Sequence, residues 1–365
     1  MHLFTIFHMF FAKLFKHFSF LFFLPLCGLL FLCCLCLGLT GCSRAESETS
    51  LPTLLEPLSR SDFLLNTIVT ITLYDRGDEA LIEECFELCR EYEALFSRTA
   101  AESEINQINH ASQFPVTVSP ATAELLSLAL SYSELSEGAF DLTVAPLTSL
   151  WDFTSLQPVR PSDQQIQEAL RHIDYRIVQL DGLQVTLTDP NGAIDLGAIA
   201  KGYIADRLKE HLLSKGVESA LLSLGGNILC IGGKAGANGK QDSFRIGIQK
   251  PFEDQSETVA AMELRDCSVV SSGIYERCFW QEDRFYHHLL NPATGYPYEN
   301  GLVSVTIISP TSADGDALST TCFALGLKEG MKLIDSLPDI YAVFLTEDEE
   351  LHYSEGFLEH ITLIP

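Results

Sequence analysis

The chain has 365 residues, with 23 Lys plus Arg against 49 Asp plus Glu and a formal net charge of −26 at pH 7. So acidic a surface repels nucleic acid and anionic headgroups, which argues against a polyanion-binding role. Eleven cysteines are present, but no C-x2-C pair has a second Cys or His pair behind it, which argues against a structural zinc site.

The first 41 residues are a different material from the rest. Lys13, Lys16 and His17 form a basic edge, and no charged side chain follows until Arg44. The run between is rich in Phe, Leu and Cys and ends Leu39-Thr40-Gly41-Cys42. A positive edge, an apolar stretch and small residues before a cut describe a secretory signal. The cysteine after the small residues resembles a bacterial lipobox, with cleavage before Cys42 and diacylglycerol on its sulfur. A retained transmembrane anchor is the alternative, since about 20 apolar residues span a bilayer. Residues 1–41 are therefore expected to be a lipoprotein signal peptide and 42–59 the lipidated Cys with a flexible linker. Residues 60–365 are expected to form one catalytic domain, held on the extracytoplasmic side of the cell membrane. Six cysteines remain beyond Cys42: Cys85, Cys89, Cys230, Cys267, Cys278 and Cys322. Cys85 and Cys89 lie one helical turn apart and read as core packing; an export-compartment disulfide stays open.

Leu64 to Tyr74 alternates as a strand, and Asp78 caps a helix from Glu79 to Phe96. Ser119-Pro120 opens a second helix that Gly138 ends, and Ser162 with Gln165 forms a capping box for a third. Strands are expected at Arg176–Leu180 and Gln184–Thr188, joined at Asp181-Gly182. The run Tyr203–Ser214 is helix-forming and stops at Lys215-Gly216. Strand-like runs follow near 218–224, 244–250, 257–264, 267–271 and 302–309. Helices at Asp314–Leu325 and near 329–337 precede strands at 340–346 and 351–354. Successive strands interrupted by helices predict an α+β fold: a two-lobed single domain with a largely antiparallel sheet core flanked by helices.

The segment Asp195–Asp206, DLGAIAKGYIAD, places a carboxylate, a glycine turn and a lysine at one strand-to-helix junction. Gly197 permits close backbone approach, free N–H groups at the helix start face an anion, and Lys201 adds a positive charge. That is a way to hold a phosphate or pyrophosphate, although an ordinary strand–turn–helix corner with a surface lysine reads the same. Asp316 and Thr320 are four apart and share a helical face, a hard-oxygen pair suited to Mg²⁺ or a simple capping arrangement. Gly225-Gly226-Asn227 follows an apolar strand, where paired glycines approach a ligand or turn tightly. The run His287-His288-Leu289-Leu290-Asn291-Pro292 leads a strand into a Pro/Gly turn and carries the best acid–base candidate, or a structural histidine.

Together, DLGAIAKGYIAD, SLGGN (Ser223–Asn227), SSGIYER (Ser271–Arg277), HHLLNPATGYP (His287–Pro297) and SPTSADGDALSTTCFALG (Ser309–Gly326) resemble, in order, the signatures of the ApbE-type FAD:protein FMN transferases. Ser103-Glu104-Ile105-x-x-Ile108-Asn109 and Gly138-Ala139-Phe140-Asp141 match that family's N-terminal half. The resemblance covers about residue 60 to the C-terminus and implies an ApbE-like fold. It also implies an Mg²⁺-dependent phosphoryl transfer: a Thr or Ser hydroxyl of an exported target protein attacks the FMN-side phosphorus of FAD, and AMP leaves. On that resemblance Asp316, Thr320 and the carbonyl of Ala198 hold Mg²⁺, while Asp195 and Lys201 hold FAD near its phosphates. Ala139, Phe140 and Asp141 line the nucleotide pocket, and Gly273 and Ile274 lie in the loop over the flavin. His288 is the expected base, with Asp195 second. The chain departs from the family at Leu65-Asn66-Thr67 (often Met-Gly-Thr), Thr99 (often aromatic), Asn291 and Asn227 (often Asp). The alternatives are an FAD pyrophosphatase giving FMN and AMP, and a non-catalytic flavin-binding lipoprotein.

Overall fold

The computed structural model describes residues 56–235, 241–253 and 257–364. The leader, Cys42 and most of the linker lie outside the described residues. Eight strands form one sheet: Leu58–Leu64, Thr67–Leu73, Ala220–Leu224, Asn227–Ile231, Ser268–Gly273, Leu302–Ser309, Tyr341–Thr346 and Leu351–Tyr353. Their spatial order is their chain order, and every neighbouring pair is antiparallel. The sheet is thus a meander whose connections swell into excursions, and each excursion can bring residues back to the same sheet face.

The expected strand Leu64–Tyr74 is Thr67–Leu73, and Leu64 ends a separate strand before it. They meet at Leu65-Asn66, where both residues have positive φ (54° and 56°), the geometry of a two-residue hairpin turn. The first of these strands begins at Leu58, inside the segment read as linker. The paired Gly225-Gly226 is likewise a two-residue hairpin turn (φ 63° and 92°), and the strand Asn227–Ile231 beyond it was not anticipated. The short helix Ala145–Trp151 and the C-terminal strand Thr362–Ile364 were also not anticipated. The run 302–309 has the expected bounds, and all eight of its residues are buried, as a continuous apolar strand covered on both faces should be.

Alternation along the strands divides the core. Leu229, Ile231, Ala342 and Phe344 pack toward the long helices Glu79–Phe96, Ala200–Ser214 and Ser312–Asp335. Cys230 and Val343, one residue out of phase, pack on the opposite side against the small sheet of Phe244–Gln249, Thr258–Leu264 and Thr362–Ile364. A third core joins Leu147 and Trp151 to Ile166 and Ala169 of the helix Asp163–Leu170, and to Tyr286 of the hairpin Cys278–Gln281 and Arg284–His287 and Leu290 just after it. Gly326 (φ 77°, ψ 173°) breaks the helix Ser312–Asp335, so the two expected helices are present as two segments about that kink. The capping box is complete: Ser162 Oγ accepts from Gln165 N–H, and Ser162 N–H donates to Gln165 Oε1 at 3.0 Å.

The six described cysteines are all free thiols. Burial pushes Cys85 and Cys89 up to about 12, which keeps them protonated and fits their packing role. Among the described residues no helix is long and apolar enough to cross a membrane.

Candidate active site

A cleft of about 250 Å³ opens between the main core and the Trp151 core. Its floor is the crossing of two helices, Ala200–Ser214 and Ser312–Asp335. A Cβ at Gly202 would lie 2.7 Å from Ala313 Cα, so only glycine permits this approach. Asp206, one turn further along the first helix, accepts from Ser312 N–H (2.8 Å) and Ala313 N–H (2.9 Å) and so caps the second helix from outside. Burial raises the Asp206 carboxyl to about 6, against the pull of those two N–H donors. In return Gly202 N–H donates to Asp316 Oδ2 at 3.0 Å. One of the helix-start N–H groups read as an anion site, that of Gly202, is therefore held by the protein's own carboxylate.

This crossing sets the polar floor. Asp316, 5 % exposed, keeps Oδ1 on the cleft side with Lys201 Nζ at 3.6 Å. Lys201 Nζ also donates to Gly197 O at 3.2 Å, which fixes the end of a long side chain. Thr320 lines the cleft one turn after Asp316, its Oγ1 3.3 Å from Ser272 Oγ. Ala198 lines it from the turn before Lys201. Among the described residues no group of three His, Cys, Asp or Glu side chains converges. The donors present are a carboxylate, a hydroxyl and a carbonyl-bearing turn, all hard oxygens. They fit Mg²⁺, which fills the rest of its shell from water and phosphate oxygens.

Asp195 is placed by the hydrogen bond from its N–H to Leu142 O (2.8 Å). Its Oδ1 accepts from Gly197 N–H at 2.9 Å, its Oδ2 accepts from Thr148 Oγ at 2.8 Å, and Arg98 Nε lies 3.2 Å from Oδ2. These donors commit both oxygens, so Asp195 suits orienting and charge better than taking a proton. Gly197 has no positive φ; its part is the Asx-type turn with Asp195, whose Oδ1 a Cβ would crowd at 3.0 Å.

Ala139, Phe140 and Asp141 line the cleft wall. Asp141 Oδ1 accepts from Thr143 N–H (2.7 Å) and Thr143 Oγ (2.6 Å), and Oδ2 accepts from Tyr175 N–H (3.0 Å). Burial raises its carboxyl, and the three bonds make it the clamp of the turn. Gly273 and Ile274 lie off the lining. Ile274 is core, a Cβ on Gly273 would press on the Tyr275 ring, and the cleft face belongs to Val270, Ser271 and Ser272 before them.

The two histidines divide their roles. His287 is buried, its Nε2 bonded to Tyr298 O at 3.0 Å, and burial lowers it to about 4. His288 lines the cleft; its Nδ1 is buried and has no partner. Desolvation first, then the Arg277, His287 and Lys201 charges, lower His288 to about 3. It is therefore neutral at pH 7, with one ring nitrogen left without a protein partner. Glu276 and Arg277 stand at the rim between these elements. Glu276 is exposed as a residue, yet protein crowds its carboxyl. That desolvation raises it to about 7, Asp316 adding to the effect and Lys201 and Arg277 opposing it.

Sequence reasoning missed Arg98 and Thr148 altogether; Asp206, Glu276 and Arg277 were seen only within motifs. Asn227 is 2 % exposed and lines the cleft; its Oδ1 accepts from Ser312 Oγ at 2.6 Å and its Nδ2 has no protein partner. Thr99 is exposed and lies off the lining.

Comparison with known proteins gives one answer. The sequence profile described as "ApbE family" matches residues 65–344. An FAD:protein FMN transferase of Klebsiella pneumoniae is 38 % identical over 296 residues, covering 80 % of this chain and 90 % of that one. The FAD:protein FMN transferase of Treponema pallidum is 33 % identical over 322 residues, covering 84 % and 89 %. The crystal structure of the ApbE protein of Thermotoga maritima superposes with a TM-score of 0.76 at 33 % identity, covering 83 % of this chain and 99 % of that one.

Proposed function

We infer that this chain, which belongs to the ApbE family, transfers the FMN half of FAD onto a Thr or Ser hydroxyl of an exported target protein and releases AMP. The observation that carries this reading is the meeting of Asp316, Thr320 and Lys201 at the helix crossing, with the neutral His288 on the wall of the same cleft. A pyrophosphate brings negative charge, and phosphoryl transfer asks mainly for positioning and charge stabilisation.

Asp316, Thr320 and Ala198 would hold Mg²⁺, which when bound neutralises phosphate oxygens. Lys201, tethered to Gly197 O, brings a fixed positive charge to the pyrophosphate. Asp195, held by Arg98 and Thr148, orients the turn that carries Ala198 and Lys201. Ala139, Phe140 and Asp141 supply the wall against which the nucleotide rests. His288 takes the proton of the acceptor hydroxyl as its oxygen bonds to the FMN-side phosphorus. The bond to the bridging oxygen breaks, and AMP departs with the electron pair. The leader supports a lipid anchor on Cys42, which would set the cleft outside the cytoplasm beside exported acceptors.

The test is the intact mass of a small protein bearing an exposed Asp-Gly-Ala-Thr acceptor, incubated with FAD, Mg²⁺ and the full chain in detergent. A gain of one FMN, lost with EDTA and in Asp316→Ala, is the expected result. AMP in solution with an unlabelled acceptor would replace the transferase with an FAD pyrophosphatase. Intact FAD with an unlabelled acceptor would leave a non-catalytic flavin-binding protein, and labelling unaffected by Asp316→Ala would remove Asp316 from the reaction.

A further inference from the structure

The hairpin Cys278–Gln281 and Arg284–His287 has two unlike faces. Its register sets Phe279 opposite Tyr286 and Trp280 opposite Phe285, and directly opposed residues share a face. Phe279 and Tyr286 turn inward onto Trp151, at ring-centroid distances of 6.4 and 5.3 Å. Trp280 and Phe285 stand on the other face with rings 5.2 Å apart. Phe252 joins them, 5.8 Å from Phe285 and 6.0 Å from Tyr275. Trp280 is 70 % exposed and Phe252 63 % exposed, so this aromatic face meets solvent.

Both roots of the hairpin are in the cleft wall. Arg277 and His288 line the cleft, and His288 N–H donates to Arg277 O at 3.0 Å. At about 3.3 Å per residue Trp280 lies about 10 Å along the strand from Arg277. An aromatic cluster left in water next to a reaction centre is the feature that marks a contact site, since aromatic anchors carry most of an interface's energy.

We propose that the Trp280–Phe285–Phe252 face is the docking surface for the acceptor protein, which seats an apolar stretch there while its hydroxyl reaches His288. The proposal rests on the transferase reading, because only that reaction brings a second protein to this cleft. Charge favours a protein over a bilayer as the occupant: the chain's net charge is −26, and Arg284 on the hairpin is paired with Glu299 at 2.8 Å.

Steady-state kinetics of the full chain in detergent test it, with the Asp-Gly-Ala-Thr protein varied at saturating FAD and Mg²⁺. In Trp280→Ser and Phe252→Ser the KM for the acceptor rises about tenfold or more, while the KM for FAD and the melting temperature stay put, as expected for exposed anchors. Trp280→Phe restores most of the loss. An acceptor KM unchanged in both serine variants overturns the proposal. So does a loss of vesicle binding or of self-association with acceptor KM intact, which would assign the face to a membrane or to a second copy. Wild-type enzyme that leaves the acceptor unlabelled would instead sink the transferase reading beneath it.

Discussion

The helix crossing at Gly202 and the hairpin from Cys278 to His287 bound the same cleft but are made differently. At the crossing the charged groups are held by the protein: Asp206 accepts from Ser312 and Ala313 N–H, Asp316 accepts from Gly202 N–H, and Lys201 donates to Gly197 O. At the hairpin the pattern reverses. His288 Nδ1 has no partner, Glu276 and Arg277 are exposed at the rim, and Trp280 projects into solvent. A site that must stabilise charge on a phosphoryl group needs donors already fixed before substrate arrives. A site that must take a proton and admit a second protein needs groups whose bonding is incomplete until then. On the proposed reaction, the difference is that between the part of the cleft that binds and the part that reacts.

The largest effect follows from opening the crossing. Gly202→Val places side-chain atoms into the Ser312–Ala313 backbone, and overpacking of this kind costs about 3 kcal/mol. The urea midpoint should fall accordingly, and turnover should fall with it, since Asp316 moves relative to Lys201. A variant of wild-type stability would show that the helices cross with more slack than the 2.7 Å from a Gly202 Cβ to Ala313 Cα allows.

On the hairpin side, His288→Gln should fold normally and lose about 10²-fold in kcat with little change in the KM for FAD, the usual worth of a general base. The wild-type kcat should show no histidine limb between pH 5 and 8, because His288 is already neutral there. A parallel fall in FAD affinity would move His288 from the chemistry to binding.

The smallest effect is the pH dependence of stability that His287 carries. Burial lowers His287 from its usual 6.5 to about 4, so between those values the unfolded chain binds more protons than the folded one. Its contribution to stability is present above pH 6.5 and is lost as pH falls toward 4, on the order of 2 kcal/mol between pH 7 and 5. His287→Gln should therefore flatten the fall of melting temperature over that range. Asp206 and Glu276, both raised, act with the opposite sign, since their raised values favour the folded state as pH falls through about 6 to 7. The histidine part is read from the difference between variant and wild type, and equal slopes would refute it.

Much of this molecule was readable from its residues. The strand 302–309 is a continuous apolar run, and the capping residues Asp78, Ser119 and Ser162 all cap where expected, each through a side-chain oxygen. The motifs that carried the resemblance put Asp316, Thr320, Lys201, Ala198, Asp195 and His288 in one cleft. What was misread is instructive. In DLGAIAKGYIAD the glycine that looked functional was Gly197, placed before the helix; the one the fold cannot replace is Gly202, inside it. Gly202 matters because of Ala313, more than a hundred residues on, and no local spacing reports such a neighbour.

The sequence alone determined the elements, their caps and the inventory of chemistry, because propensity, capping and hydrophobic period act over a few residues. Tertiary structure alone decided which groups are satisfied and which stay free. Asp195 is committed to Arg98 and Thr148 and Asp141 to Thr143 and Tyr175, while His288, in the cleft wall, keeps a buried nitrogen without a partner. Protonation and hydrogen-bond capacity depend on burial and on partners brought from distant parts of the chain, and those exist only once the excursions of the meander have packed against the sheet.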